Sequence, residues 1–168
     1  MQHVDMDNPT PRVRGKARLR IGRHSEAGRV YLVTFCTFDR RPVFCDWDIA
    51  MIVIRSMHAP ALWRGSRVLC WTLMPDHWHG LVELGEMDSV SALVGRIKGA
   101  SARAANLHLG VTGSLWTDGF HDHALRDEED LIDVARYIIR NPIRAGLVDR
   151  VGQYPFWDAA WLDRDHRG

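Results

Sequence analysis

Residues 71–84, which decide the fold, have the sequence WTLMPDHWHGLVEL. Apolar and β-branched residues on both sides of Met-Pro-Asp predict two strands joined by a tight turn. Side chains alternate between the faces of a strand, so His77 and His79 share one face and Trp78 points to the other. Two imidazoles on one strand face form half of a metal site. The alternative is that both rings are only hydrogen-bonded on a half-exposed sheet face.

Length and composition bound the class of protein. The chain has 168 residues, 46% of them hydrophobic, which favours one domain with a substantial core. No apolar run approaches the roughly 18 residues of a membrane span, and residues 1–10 have no apolar signal core. The three cysteines follow neither a C-x-x-C nor a zinc pattern. We therefore expect a cytoplasmic protein with no membrane partner.

Positive charge is concentrated before the first predicted strand. Residues 12–29 contain one acid, Glu26, and a series of basic residues: Arg12, Arg14, Lys16, Arg18, Arg20, Arg23 and Arg29. Such an arm can bind phosphates, and the alternative is a solvated tail. We treat residues 1–29 as a basic N-terminal arm and residues 30–168 as a single domain.

Strand patterns and helix patterns follow one another along this domain. β-branched and aromatic residues predict strands at three places, residues 30–38, 67–73 and 77–84, and an extended segment at 114–125. Apolar residues at helical spacing predict three helices: Asp48 to about Leu62, Asp88 to about Leu109, and Asp127 to about Asn141.

Capping residues support the helix boundaries. Asp46 or Asp48 suits the start of the first helix, and Asp127 suits the start of the last. Pro60 bends or ends the first helix, and Pro142 disfavours helical geometry at the residue before it. The β-α-β-β-α-β order predicts an α+β fold, a ferredoxin-like antiparallel sheet with helices on one face, followed by an extra C-terminal helix.

The extra helix carries a second group of reactive side chains. Tyr137 and Asn141 are four residues apart and Asp133 lies one turn earlier, so all three share a helix face. A phenol near a divalent metal is a nucleophile for a phosphodiester, and the Asn141 carbonyl is a candidate third ligand. Two imidazoles and an oxygen suit Mn²⁺ or Mg²⁺, with Zn²⁺ and Ni²⁺ accepted in vitro. The alternative is a packed tyrosine and a helix C-cap.

Two motifs occur in a particular order: Met74-Pro75-Asp76-His77-Trp78-His79, then Tyr137-Ile138-Ile139-Arg140-Asn141-Pro142. In that order the chain resembles the REP-associated tyrosine transposases, single-tyrosine members of the HUH (His-hydrophobic-His) nuclease superfamily. The resemblance covers roughly residues 18–157. It includes the first strand, Lys98 and the segments 116–126 and 141–148.

The resemblance implies a metal-dependent single-stranded DNA endonuclease and strand transferase that acts at hairpin-forming palindromic repeats. Members of the family cut without ATP, form a 5′-phosphotyrosine link and release a 3′-hydroxyl, so the strand can be rejoined or transferred. By position, Tyr137 resembles the nucleophile, and His77, His79 and Asn141 resemble the ligands of a divalent metal ion, Mg²⁺ or Mn²⁺.

The resemblance also implies how the chain meets DNA. Arg18, Arg20 and Arg23 resemble the family's DNA-reading segment, and Lys98 is a candidate contact to the DNA backbone. Three further side chains are expected near the site: His123, Asp133 and Arg140. The expected partner is single-stranded DNA with hairpin repeats, bound in the cytoplasm at the nucleoid. We expect a monomer, although related insertion-sequence transposases are dimers.

Three other functions remain open at this point. A zinc-containing structural domain or metallohydrolase would need His121 and His123 to face His77 and His79. A non-cleaving protein that only grips hairpin DNA would not need Tyr137. An RNA-binding protein would use the ferredoxin-like sheet, but the first strand lacks the usual aromatic platform pattern.

Overall fold

The strands of the computed structural model, which describes residues 25–126 and 131–161, form a single antiparallel sheet. They are β1 (Val30–Cys36), β2 (Arg67–Met74), β3 (His77–Glu83), β4 (His121–Ala124) and β5 (Trp157–Ala159). Their order across the sheet is β4-β1-β3-β2-β5. The first four strands follow the ferredoxin-like arrangement, which confirms the predicted fold.

Helices cover both faces of this sheet. They are α1 (Trp47–Met57), α2 (Val90–Leu109), α3 (Leu131–Ile139) and the single turn α4 (Asn141–Arg144). Phe35, Trp78 and Val82 belong to the main core with residues of α1 and α2. A second cluster, which contains Leu81 and Ile138, lies between the opposite face and α3. The prediction of helices on one face therefore holds for α1 and α2 alone, and α3 covers the other face.

Caps and prolines set the observed helix ends. The Asp46 carboxylate accepts from the N–H groups of Asp48 and Ile49, and Ser89 accepts from Ala92, as expected for N-caps. The prediction that the first helix reaches Leu62 is wrong, because α1 ends at Met57 and a separate 3-10 turn spans Pro60–Leu62. Asp127, the predicted cap of the last helix, lies outside the described residues.

Strand β3 lies at the centre of the sheet and carries the histidine pair. His79 is opposite Thr34 of β1 and Thr72 of β2. Trp78 points into the main core, where it is 2% exposed and its ring stacks on Phe35 with centroids 5.1 Å apart. His77 and His79 consequently point to the opposite face, as the alternation predicts.

The chain segments outside the predicted elements also pack on the sheet. Strand β5 pairs with β2, and the Tyr154 hydroxyl donates to the Leu73 carbonyl at 2.6 Å. The short β5 was not predicted, because a three-residue strand has too few positions to show alternation. At the other end, the Gly28 N–H donates to the Leu84 carbonyl and the Val90 N–H donates to the Ser25 hydroxyl, so part of the predicted arm contacts the domain.

Within residues 25–126 and 131–161, no helix is both long and apolar enough to cross a membrane.

Gly80 gives the first testable prediction. A Cβ added there would lie 2.1 Å from Cη2 of Trp78, so Gly80→Ala must displace the ring that is stacked on Phe35. Overpacking of this kind destabilises a protein by roughly 1–3 kcal/mol. Urea denaturation should therefore give Gly80→Ala a lower free energy of unfolding than the wild type.

Gly95 provides the matched control. It is exposed within α2, and nothing lies within 4 Å of an added Cβ. Gly95→Ala should keep or raise the free energy of unfolding, by up to about 1 kcal/mol. Equal stability of Gly80→Ala and the wild type would contradict the tight fit of Trp78 over Gly80.

Candidate active site

The histidine pair is held by one hydrogen bond to each Nδ1 nitrogen. The rings of His77 and His79 meet edge to face, with centroids 4.4 Å apart. Nδ1 of His77 lies 2.6 Å from the Asp76 carboxylate, and Nδ1 of His79 lies 2.7 Å from the Thr34 hydroxyl. When Nδ1 donates in both cases, the Nε2 lone pairs of both rings are free to bind a common ligand.

Asp76 is itself fixed by the end of β1. Its second carboxylate oxygen lies 3.0 Å from Nε of Arg40, and its backbone carbonyl accepts from the Thr37 N–H at 2.9 Å. Asp39 and Arg40 both have a φ of 55°, a left-handed conformation that is unusual for residues with a side chain. This tight turn directs Arg40 towards Asp76 and completes a chain from Arg40 through Asp76 to His77.

Burial and neighbouring positive charge keep both imidazoles neutral. Burial lowers the pKa of His77 below its ordinary value, although Asp76 opposes the shift. Burial, the His77 ring and the Arg40 guanidinium together lower the pKa of His79 to about 3, with a smaller contribution from Arg144. Neutral imidazole is the form that ligates metals, so both rings are in that form at neutral pH.

A buried hydrogen bond holds the end of α3 beside the histidine pair. The Thr72 hydroxyl donates to the Ile138 carbonyl at 3.0 Å, and Thr72 is the β2 residue opposite His79. Ile138 is buried while its neighbour Tyr137 is 47% exposed. The phenol is thus presented to solvent from a helix that is anchored one strand away from His79.

Asn141 lies outside the helix of Tyr137. The sequence instead predicts that the two residues share one face of a single helix. α3 ends at Ile139, and Asn141 begins α4, which packs against β2. Pro142 has no backbone N–H to donate to the Ile138 carbonyl four residues earlier, so the series of helical hydrogen bonds is interrupted here. Among the described residues, no hydrogen bond uses the Asn141 side chain, and its proposed contact with the histidines stays a prediction.

The other predicted neighbours of the site are dispersed. Asp133 is exposed and pairs with Arg136 at 3.1 Å, and Arg140 is exposed between α3 and α4. His123 lies on β4, opposite Leu32 of β1, and therefore on the same sheet face as the histidine pair.

One of the predicted DNA contacts, Lys98, lies on the sheet face opposite to the histidine pair, and the others lie outside the described residues. The Lys98 ammonium donates to the carbonyls of Thr117 and Gly119, both at 2.8 Å. It also lies 5.9 Å from the ring centre of Phe35, a ring in the main core. These contacts give Lys98 a local role in holding the 117–119 loop. Arg18, Arg20 and Arg23 lie outside the described residues.

The two His-x-His segments do not form one site. Strand β1 separates β3 from β4, which places the segments about 10 Å apart. Across residues 25–126 and 131–161, no three or more His, Cys, Asp or Glu side chains are grouped to hold a metal ion. The four-histidine zinc site therefore has no support in the fold.

Several supporting residues were missed by the sequence analysis. Thr34, Thr72 and Arg40 orient the site through hydrogen bonds, and Arg144 lies over the Tyr137 ring. The partners of Thr34, Thr72 and Arg40 are distant in sequence, so local spacing carries no signal for these three. Only the strand alternation, which puts Thr34 and Thr72 on the face of His79 once the pairing is known, could have found two of them.

The part of the chain that carries this geometry matches a known protein family. The family described as "Transposase IS200 like" matches residues 28–141, a range that begins just before β1 and ends at Asn141. The chain belongs to the IS200-like transposase family. This membership accounts for the joint presence of the histidine pair and the tyrosine helix within one matched segment.

Two curated proteins are also similar to the chain. The REP-associated tyrosine transposase of Escherichia coli K12 is 30% identical over 94 residues, 55% of this chain and 54% of that protein. A Haemophilus influenzae relative is 29% identical over 94 residues, 50% of this chain and 53% of that protein. This chain therefore spans about half the length of the curated relatives that it matches.

A solved structure shares the fold. It is described as a REP-associated tyrosine transposase bound to a REP hairpin. The TM-score is 0.69 at 22% sequence identity, and the match covers 86% of this chain and 84% of that chain. The comparison supports the arrangement of the sheet and helices. The family match and the curated relatives, together with this shared fold, confirm the resemblance drawn from the two sequence motifs.

The lowered histidine pKa values predict a pH dependence of stability. The unfolded chain takes up protons below about pH 6.5, whereas folded His79 resists protonation down to a pKa of about 3. Stability is therefore present above about pH 6.5 and is lost as the pH falls towards 3, by up to about 1.4 kcal/mol per pH unit for one histidine. Urea unfolding of metal-free protein between about pH 7 and about pH 4 measures this slope.

His79→Gln isolates the contribution of one ring. As the pH is lowered, the free energy of unfolding of His79→Gln should decrease less steeply than that of the wild type. His108→Gln, at an exposed position of α2, should keep the wild-type slope. If His79→Gln and the wild type lose stability in parallel, burial of a neutral His79 is not a source of the pH dependence.

Proposed function

We propose that this chain cleaves and rejoins single-stranded DNA at hairpin-forming repeats, with Tyr137 as the nucleophile. The observation that carries the proposal is the hydrogen bond from Thr72 to Ile138, which joins the tyrosine helix to the strand beside His79. Membership of the IS200-like transposase family supports DNA as the substrate. The solved structure of similar fold is bound to a REP hairpin, which favours hairpin DNA in particular.

The histidine pair is suited to hold a divalent cation. Both Nδ1 atoms have partners, both Nε2 atoms are available, and both rings are neutral at neutral pH. In this proposal His77 and His79 bind Mg²⁺ or Mn²⁺ through Nε2, and the side-chain oxygen of Asn141 is the third ligand. The bound ion would offset the negative charge of the phosphate.

Tyr137 supplies the covalent step of the proposed reaction. Its hydroxyl oxygen attacks the scissile phosphorus, and the bond from phosphorus to the 3′-oxygen breaks. The phenol loses its proton, and the departing oxygen gains one to become a 3′-hydroxyl. The resulting 5′-phosphotyrosine is itself a phosphodiester, so the reverse reaction can rejoin the strand without ATP. The half-exposed position of Tyr137 leaves room for DNA to approach it.

Residues outside the described ranges complete the proposed DNA contacts. The basic stretch with Arg18, Arg20 and Arg23 would bind phosphates and contribute a salt-dependent part of the affinity. The domain would then act as a monomer on DNA at the nucleoid. A protein that grips hairpin DNA without cutting it would share these contacts, and the tyrosine variant below separates the two functions.

The nucleophile can be tested by removing one oxygen atom. Tyr137→Phe should bind hairpin DNA with nearly wild-type affinity but form no covalent product, because only the attacking oxygen is lost. The measurement uses single-stranded hairpin DNA that is labelled on the 3′ side of the cut. After denaturation, the wild type should give a labelled protein band and Tyr137→Phe should give none.

Tyr154→Phe is the matched control, since it removes the same atom from a buried tyrosine of the tail. This variant should retain the labelled band. Cleavage by Tyr137→Phe at the wild-type rate would favour water as the nucleophile. Binding without cleavage by the wild type would favour a non-cleaving protein.

The metal ligands can be tested by binding as well as by activity. His77→Ala with His79→Ala should abolish cleavage, as should excess EDTA, while hairpin affinity stays within roughly threefold because phosphate contacts dominate it. Electron paramagnetic resonance should show that the wild type binds Mn²⁺ and that the double variant does not.

His108→Ala serves as the control histidine and should change neither cleavage nor Mn²⁺ binding. Full cleavage in EDTA would refute the metal dependence directly. Mn²⁺ binding by the double variant would place the ion elsewhere in the chain.

A further inference from the structure

Arg144 lies against the tyrosine that we propose as the nucleophile. Its Cζ atom is 4.2 Å from the centre of the Tyr137 ring. The backbone N–H of Arg144 donates to the Arg140 carbonyl at 3.1 Å, which fixes the backbone of α4 relative to the end of α3. A guanidinium at this distance over an aromatic ring is attracted to the ring and keeps N–H groups that can donate to another partner.

The element that carries Arg144 also packs beside the strand next to the histidine pair. Helix α4 contacts β2, and β2 pairs with β3, the strand of His77 and His79. The hydrogen bond from Thr72 to Ile138 fixes the end of α3 on the same strand. Arg144 thus lies against Tyr137 on an element packed one strand away from the proposed metal ligands, and a scissile phosphate must lie between Tyr137 and those ligands.

Arg144 has no acidic partner among the described residues, unlike five other arginines of the described chain. Ion pairs are formed with Glu or Asp by Arg29, Arg40, Arg67, Arg96 and Arg136. Within the described ranges, no carboxylate pairs with Arg144, and the side chain is exposed. A guanidinium with free donors and no counter-charge is suited to a phosphate, whose oxygens match its planar fork.

We propose that Arg144 is a catalytic residue that donates to a non-bridging oxygen of the scissile phosphate while its face holds the Tyr137 ring. This inference rests on the proposed function of Tyr137. As the bond from Tyr137 to phosphorus forms and the bond to the 3′-oxygen breaks, negative charge shifts among the phosphoryl oxygens. A donor placed there stabilises the transition state more than the bound DNA.

The test compares a charged and a neutral phosphate at the cut site. Arg144→Gln should slow single-turnover cleavage of ordinary hairpin DNA by roughly 10²-fold or more, the usual effect of losing one such donor. The hairpin affinity should change by less than about threefold, because one phosphate contact is a small part of the total. With a methylphosphonate at the scissile position, which carries no negative charge, Arg144→Gln and the wild type should differ by less than about fivefold.

Two further variants define the role of the side chain. Arg144→Lys keeps the charge but loses the planar fork, so its cleavage rate should lie between those of Arg144→Gln and the wild type. Arg136→Gln removes an exposed arginine of α3 that pairs with Asp133, and it should cleave both substrates at wild-type rates. The midpoint of urea unfolding should be the same for all these proteins, because both arginines are exposed.

The outcomes separate this inference from the proposed function. Equal slowing of both substrates by Arg144→Gln would overturn the phosphate contact and leave only a positioning role for Tyr137. A rate for Arg144→Gln within threefold of the wild type, with the covalent band intact, would overturn the inference while the function stands. Absence of the covalent band in the wild type would instead reject the proposed function itself.

Discussion

The stacking of Trp78 on Phe35 is the contact on which the position of the site depends. Trp78 lies between the two histidines in sequence, and its ring covers Gly80 on the core side of β3. A slip of one residue in the pairing of β3 would turn every side chain to the other face. The histidines would then enter the core, and the tryptophan would be exposed. The large apolar ring therefore holds the small polar site in register.

A second, tertiary constraint brings the tyrosine helix to the same face. Thr72 is completely buried, and its hydroxyl donates a hydrogen bond to the carbonyl of Ile138. A buried hydroxyl without a partner would be unfavourable, so β2 and α3 are tied at this point. Apolar packing of Ala135 and Ile138 against Leu81 holds the rest of the helix. The reactive residues are supplied by separate elements, but the core between those elements sets their spacing.

Charged side chains act on the histidine pair in both directions. The guanidinium groups of Arg40 and Arg144 lower the pKa of His79, and the Asp76 carboxylate raises it. The positive groups attract anions and favour the unprotonated form of the rings. The left-handed turn at Asp39 and Arg40 is an unfavourable backbone conformation, and strain of this kind is common at functional sites. Here it serves to aim Arg40 at Asp76.

The sequence alone determined the elements and the faces of the strands. The alternation around Trp78 correctly oriented His77 and His79, and the order of strands and helices correctly predicted the ferredoxin-like sheet with α3 near the histidines. These features follow from local periodicity and chain order, which can be read without knowing any long-range contact. Two motifs in a fixed order also sufficed to indicate the family.

Tertiary structure alone decided how the site is assembled. The break at Arg140 separates Asn141 from the helix of Tyr137, and the fold, not local spacing, brings Arg40 and Thr34 to the histidines. The distance between the two His-x-His segments likewise depends on β1 lying between β3 and β4. The physical reason is that each of these relations joins residues across strand pairing or helix packing, where sequence separation carries no information about distance.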